Sequence, residues 1–131
     1  MSVLRILVAE DEEIVRKRIC IIVSAHVECE VCAEASNGQE AAAMSRALRP
    51  DLIVLDISMP FLNGLDAARQ IRGFVPGTPI VMLSVHRNKQ LMEEASKIGV
   101  LGYVVKEDAV RSLPRAIARA PRNKISFPAE L

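Results

Sequence analysis

Acidic side chains stand directly after two apolar runs of this sequence. Glu10-Asp11 follow Ile6-Leu7-Val8-Ala9, and Asp56 follows Leu52-Ile53-Val54-Leu55. A hydroxyl, Ser84, closes the run Ile80-Val81-Met82-Leu83, and an ammonium, Lys106, closes Val100–Val105. Carboxylates gathered closely repel, so such a cluster needs a cation or loses ionisation. Oxygen ligands alone suit a hard ion such as Mg²⁺, which takes few protein ligands and keeps several waters. Beside that ion a carboxylate such as Asp56 can attack a phosphoryl donor. The ion and Lys106 would neutralise charge building on the transferring group, and Ser84 would hydrogen-bond a phosphoryl oxygen after arrival.

The elements that must position these groups follow from the hydrophobic pattern. Apolar runs at Val3–Ala9, Val27–Ala35, Leu52–Leu55, Ile80–Leu83 and Val100–Val105 read as strands, and Ile6–Val8, Leu52–Leu55 and Ile80–Leu83 are continuous rather than alternating. Continuous runs mark strands buried on both faces of a parallel sheet. Helical spacing appears between and after them, over Asp11–Ala25, Asn37–Leu48, Asn63–Arg72, Asn88–Ile98 and Ala109–Ala120. Breakers fall at the joints: Arg49-Pro50, Pro76-Gly77, Pro79 and Gly99. Five strand–helix repeats predict a doubly wound α/β sandwich. In such a sheet all strand C-termini share one edge, and ligands bind where the strand order reverses. With the first and third strands side by side there, Glu10, Asp11 and Asp56 converge.

At these residues the sequence resembles the response-regulator receiver domains, the CheY-like family. Ile6-Leu7-Val8-Ala9-Glu10-Asp11-Glu12 is similar to the acidic-pair signature of that family. Pro50-Asp51-Leu52-Ile53-Val54-Leu55-Asp56-Ile57-Ser58-Met59-Pro60, with Asn63-Gly64, is similar to its phosphoacceptor segment. Val81-Met82-Leu83-Ser84 matches the switch Ser/Thr position, and Gly102-Tyr103-Val104-Val105-Lys106 the lysine motif with its preceding aromatic. The likeness covers residues 3 to about 120, so 1–120 is expected to be one receiver domain. It implies the flavodoxin-like strand order 2-1-3-4-5, for which a receiver is a standard illustration. It also implies that a sensor histidine kinase or phosphotransfer protein phosphorylates Asp56. Asp11, Asp56 and the backbone carbonyl of Ser58 would bind Mg²⁺, with Glu10 helping directly or through water. Ser84 and Tyr103 would then move together and alter the face made by the fourth helix, fifth strand and fifth helix. A homodimer on phosphorylation is a further association the resemblance allows.

The departures from that pattern are informative. Glu10 stands where Asp is commoner, and its extra methylene favours a water-bridged role. Glu107 follows Lys106 where many receivers carry proline, so no cis bond is expected there, a non-prolyl cis bond costing about 3 kcal/mol. The Lys-Glu pair and the tail Lys124-Ile125-Ser126-Phe127-Pro128-Ala129-Glu130-Leu131 resemble the NarL/FixJ (LuxR-type) branch. There such a tail leads into a helix-turn-helix domain, so 121–131 is expected to be a linker and DNA contact to occur only through that output domain. Ser58 and His86 lie two residues beyond Asp56 and Ser84, at positions that in receivers often tune loss of the phosphoryl group. His86 reads either as a ring flanking that site or as an exposed loop histidine. Tyr103, the only tyrosine, reads as a switch residue or as an aromatic at the edge of the core. Arg111, Arg115 and Arg119, four apart on the last helix, read as a solvated face or as a docking surface. His26 is expected on the surface.

Composition bounds the alternatives. The 131 residues carry 17 Lys plus Arg against 16 Asp plus Glu, so no field of one sign recruits nucleic acid or an anionic membrane. No apolar run has the length that spans a bilayer. Cys20, Cys29 and Cys32, an odd set without a signal peptide, suit a cytoplasmic setting. Cys29-Glu-Val-Cys32 has a CxxC spacing but lies in an expected strand, where residues three apart point to opposite faces and share no metal. A phosphatase of the aspartate-nucleophile kind would need a second Asp two residues after Asp56, and Ser58 stands there, so an enzyme is not expected. A degenerate receiver or stand-alone interaction module is the other alternative. Retention of Asp11, Asp56, Ser84 and Lys106 weighs against degeneracy.

Overall fold

In a computed structural model of the chain, residues 3–128 are described. The strands are β1 (Leu4–Ala9), β2 (Cys29–Ala35), β3 (Leu52–Asp56), β4 (Ile80–Ser84) and β5 (Gly102–Val105). The helices are α1 (Glu13–Ser24), α2 (Gly38–Leu48), α3 (Gly64–Phe74), α4 (Lys89–Ile98) and α5 (Ala109–Arg119). All pairings are parallel and the order is β2-β1-β3-β4-β5. This is the expected flavodoxin-like α/β sandwich. No described helix is long and apolar enough to cross a membrane.

Burial on both faces explains the continuous runs. Every residue of β3 and β4 is buried. Leu7, Ala9, Ile53, Leu55, Ile80, Met82 and Tyr103 face α2, α3 and α4 through Ala41, Leu65, Ala68, Ile71, Met92 and Ala95. Ile6, Val8, Leu52, Val54, Val81, Leu83 and Val104 face α1 and α5 through Ile19, Val23, Leu113, Ala116 and Ile117. Each fully buried branched side chain contributes roughly 1.5–3 kcal/mol relative to exposure. Asparagine starts three helices: Asn37, Asn63 and Asn88 accept from the backbone N–H of Glu40, Asp66 and Leu91 at 2.8, 2.9 and 3.0 Å. These caps satisfy donors that a helix start leaves free.

The structure differs from the expected pattern in three places. β2 begins at Cys29 rather than Val27, because the Cys29 N–H donates to the His26 carbonyl at 3.0 Å and closes a turn; Val27 is exposed. Strict alternation along β2 fails as well. Its register against β1 shifts between Val31 and Ala33, leaving Cys32 without a partner. Cys29 and Val31 therefore pack on the α1–α5 side, whereas Ala33 and Ala35 pack on the other.

The tail does not leave the domain as a linker over its described part. A 3-10 turn at Ala120–Arg122 and a left-handed Asn123 turn the chain back, and Ser126 pairs in parallel with Gly102 on the edge of β5. The signal was hidden because one edge pairing has no periodicity. The last three residues of that tail lie outside the described residues.

Candidate functional site

The strand order reverses between β1 and β3, with α1 packing on one face of the sheet and α3 on the other. Ala9 is level with Leu55, so Glu10, the residue after β1, stands level with Asp56, the last residue of β3. The Glu10 N–H donates to Ala35 O and the Ile57 N–H to Leu83 O, both at 3.0 Å, which anchors both strand ends. Ligand oxygens of Glu10, Asp11 and Asp56 lie within 4.8 Å of one another, the one such group of acidic, His or Cys side chains among the described residues.

Lys106, first residue of a 3-10 turn at Lys106–Asp108, reaches back from the end of β5. Its Nζ donates to Glu10 Oε1 at 2.7 Å and lies 3.1 Å from Asp56 Oδ1. Glu10 and Asp56 are 0% and 1% exposed, yet Glu10 Oε2 and Asp56 Oδ2 have no hydrogen-bond partner. Buried anionic oxygens without donors are costly, and a set made only of oxygens fits a hard divalent cation. Burial raises the Glu10 carboxyl above its usual range, the adjacent Asp56 raises it further, and Lys106 draws it back. Asp11, exposed beside them, is raised by desolvation and by Glu10. Burial acts to lower the Lys106 ammonium, but Glu10 and Asp56 outweigh it and hold it above the usual lysine range.

Close backbone packing sets the loop after Asp56. The Gly64 N–H donates to Ile57 O at 2.7 Å, and a Cβ on Gly64 would stand 2.1 Å from the Asp56 carbonyl oxygen. Only glycine allows α3 to start so near β3. Ser58 is exposed, and its N–H reaches Asp56 Oδ1 at 3.4 Å. Phe61 follows in the left-handed region and is 81% exposed.

Ser84 and Tyr103 meet at one atom. The Ser84 hydroxyl donates to the His86 carbonyl at 3.0 Å, Ser84 Oγ accepts from the His86 N–H at 3.3 Å, and the Tyr103 hydroxyl donates to that same carbonyl at 2.8 Å. Tyr103 is thus turned inward. His86 contributes its backbone to this link while its residue surface stays exposed. His26 is exposed as expected. Arg111 pairs with Asp108 at 3.2 Å on the surface, whereas Arg119 folds onto the tail carbonyl of Ile125 at 3.0 and 3.1 Å. The cysteines are all unpaired and half-buried; burial first, then Glu34, pushes the Cys20 thiol up to about 11.

Sequence reasoning missed Arg16. Its guanidinium donates to the Glu10 carbonyl and to Glu34 Oε1, both at 3.0 Å, and Lys17 joins Glu34 at 2.9 Å. A signal existed: Arg16 sits on the helical stripe of Cys20 and Val23, where an apolar residue would be expected.

Fold and site together define a doubly wound α/β protein with an acid and lysine crevice at its strand-order reversal. Residues 6–118 match the response regulator receiver domain family, and the chain belongs to it. It is 30% identical over 128 residues to the transcriptional regulatory protein LnrK of Bacillus subtilis, covering 98% of this chain and 58% of LnrK. The chain thus spans little more than half the length of that relative. It is 32% identical to protein CcdB of the same organism, covering 88% of this chain and 95% of CcdB. A LuxR-family two-component response regulator from Aurantimonas sp. SI85-9A1 superimposes with a TM-score of 0.90 at 28% identity, over 95% of this chain and 89% of that one.

Proposed function

We propose that Asp56 accepts a phosphoryl group, in a Mg²⁺-dependent transfer from a sensor histidine kinase or phosphotransfer protein, and that this resets the α4–β5–α5 face to control an output. The carrying observation is the pair of buried, partnerless oxygens, Glu10 Oε2 and Asp56 Oδ2, beside Asp11 and bridged on their other oxygens by Lys106. Asp11, Asp56 and the Ser58 carbonyl would hold Mg²⁺, with Glu10 contributing directly or through water. When bound, the ion supplies the positive charge that lets an anionic donor approach three carboxylates.

The side chains divide the remaining work. A carboxylate oxygen of Asp56 attacks phosphorus as the bond to the donor breaks, and the leaving atom keeps the electron pair. Lys106 is already placed to shift its ion pair from Asp56 Oδ1 to a phosphoryl oxygen. Ser84 can exchange the His86 carbonyl for the phosphoryl oxygen as acceptor. That exchange releases one of two donors on the carbonyl that also holds Tyr103, which carries the change toward α4, β5 and α5. Ser58 and His86, flanking this machinery in sequence, are positions that would set the lifetime of the phosphorylated state. Transcription control is supported by likeness to the transcriptional regulatory protein LnrK, and a separate DNA-binding output domain belongs to the same proposal. Free thiols at Cys20, Cys29 and Cys32 support a cytoplasmic setting. Likeness to CcdB, 95% of whose length the chain covers, supports the alternative of a stand-alone receiver acting as an interaction module. Homodimer formation on phosphorylation belongs to the same reading.

The test is incubation with a small acyl-phosphate donor and Mg²⁺, followed by intact-mass measurement. Parent protein gains one phosphoryl group, and Asp56→Asn gains none. No gain in the parent removes the phosphoacceptor role. Rapid consumption of donor without accumulation of the modified protein makes the chain an enzyme instead.

A further inference from the structure

The backbone of Glu10 is held on both sides by the end of β2. Its N–H donates to Ala35 O, and its carbonyl accepts from the Arg16 guanidinium, both at 3.0 Å. A second nitrogen of that guanidinium, Nε, donates to Glu34 Oε1 at 3.0 Å, so the fork ties the acidic loop to the residue next to Ala35. Lys17 holds the other oxygen of Glu34 at 2.9 Å. Arg16 also closes the far side of the loop, because its own N–H donates to Glu12 O at 2.8 Å. One residue thus brackets Glu10, Asp11 and Glu12.

Planar peptides leave φ and ψ as the only soft dihedrals of a residue. The bond to Ala35 orients the peptide plane before Glu10, and the bond from Arg16 orients the plane after it. Together they fix both dihedrals of Glu10, and the direction in which the chain carries Asp11 away from the sheet follows. Local features leave that direction open: Asp11 is exposed, and α1 starts from Glu12 without a side-chain cap. The Arg16 side chain is only 13% exposed, against 56% for its neighbour Lys17, so it sits inside the structure rather than in solvent. Its charge stands beside an acidic crevice and repels any cation bound there. Charge and geometry at Arg16 therefore act on cation binding with opposite signs, which makes them separable.

We propose that Arg16 is a positioning residue for the divalent cation: its fork on Glu10 O and Glu34 sets the Glu10–Asp11 peptide so that Asp11 and Asp56 offer their oxygens to one ion. The inference rests on the Mg²⁺ reading above. Arg16 touches neither the ion nor the phosphoryl group; it acts through the backbone of Glu10. A lysine cannot replace it, because one ammonium does not reproduce a rigid fork aimed at a carbonyl and a carboxylate together.

Titration calorimetry of the full chain with Mg²⁺ alone tests this, at a temperature where thermal melts show each variant folded. Arg16→Met binds Mg²⁺ about tenfold more weakly than the parent, although it removes a repelling charge. Arg16→Lys, which keeps the charge and loses the fork, is intermediate. Lys17→Met, which removes a cation from the same cluster without touching Glu10, stays within about twofold of the parent. A plain stabilising ion pair would lower the melting temperature of Arg16→Met and leave its affinity for Mg²⁺ equal or tighter. That result, or parent-like affinity in Arg16→Lys, overturns the positioning role and leaves the metal site standing. If Arg16→Met does not fold, Arg16→Lys decides alone by the same criterion. A parent that binds no Mg²⁺ removes the metal reading, and this inference with it.

Discussion

Lys106→Met removes the cation that touches both Glu10 and Asp56 while keeping most of the stem. At an effective dielectric of about 20, unit charges at the observed 2.7 and 3.1 Å attract by about 6 and about 5 kcal/mol. Desolvation of the groups offsets most of this. Removing one partner of a buried pair leaves a net loss of about 3–5 kcal/mol, because the remaining charges stay buried without compensation. The loss depends on pH. The Glu10 carboxyl is raised above 4.5 by burial and by Asp56, so above 4.5 the folded state binds more protons than the unfolded state. Stability therefore falls as pH rises through the folded-state value. Without Lys106 that value climbs further, so the deficit of the variant is smaller near pH 4.5, where the Glu10 carboxyl is the more protonated, than near about pH 7.5. Urea unfolding followed by circular dichroism, with a chelator present, measures it. Mg²⁺ at about a hundred times its dissociation constant adds about 2.7 kcal/mol to any form that binds it, and its charge should narrow the deficit. A deficit below about 1 kcal/mol near neutral pH, or one of equal size at both pH values, refutes the electrostatic reasoning.

Two further outcomes follow from the packing and the ion pairs. Gly64→Ala places a Cβ 2.1 Å from the Asp56 carbonyl oxygen and should cost about 2–3 kcal/mol, whereas Gly73→Ala, with nothing within 4 Å of its Cβ, should gain about 0.5–1 kcal/mol. Paired denaturation curves check the opposite signs. Glu34 is held below its usual range by Lys17 and then Arg16, so its contribution is present above 4.5 and lost as pH falls through the lowered folded-state value. Glu34→Gln should be about 1 kcal/mol less stable near neutral pH and match the parent in acid, as thermal melts at the two pH values would report.

Several functional positions were legible because their signals are local. Asp56, Ser84 and Lys106 each stand at the end of an apolar run, and parallel strands end on one edge. The three asparagine caps were readable in the same way, one polar residue before each helical period. Arg16 escaped notice because an arginine on a half-apolar stripe reads as solvated until a carbonyl is found within its reach. The tail, with two prolines and a basic cluster, carries no period that announces its return, although one extended residue is enough to close an edge.

By itself the sequence determined the five alternating units, the buried runs of β3 and β4, and which residue types stand at the strand ends. Those follow from hydrophobic period and turn chemistry, which act within windows of a few residues. Tertiary structure alone decided that Lys106 binds Glu10 across 96 positions of chain, that Cys32 bulges and reverses the faces of β2, and that Phe127 returns to cover Tyr103. Each of these depends on which buried charge, backbone group or ring remains unsatisfied once the sheet has assembled, and that is set by neighbours distant in the chain.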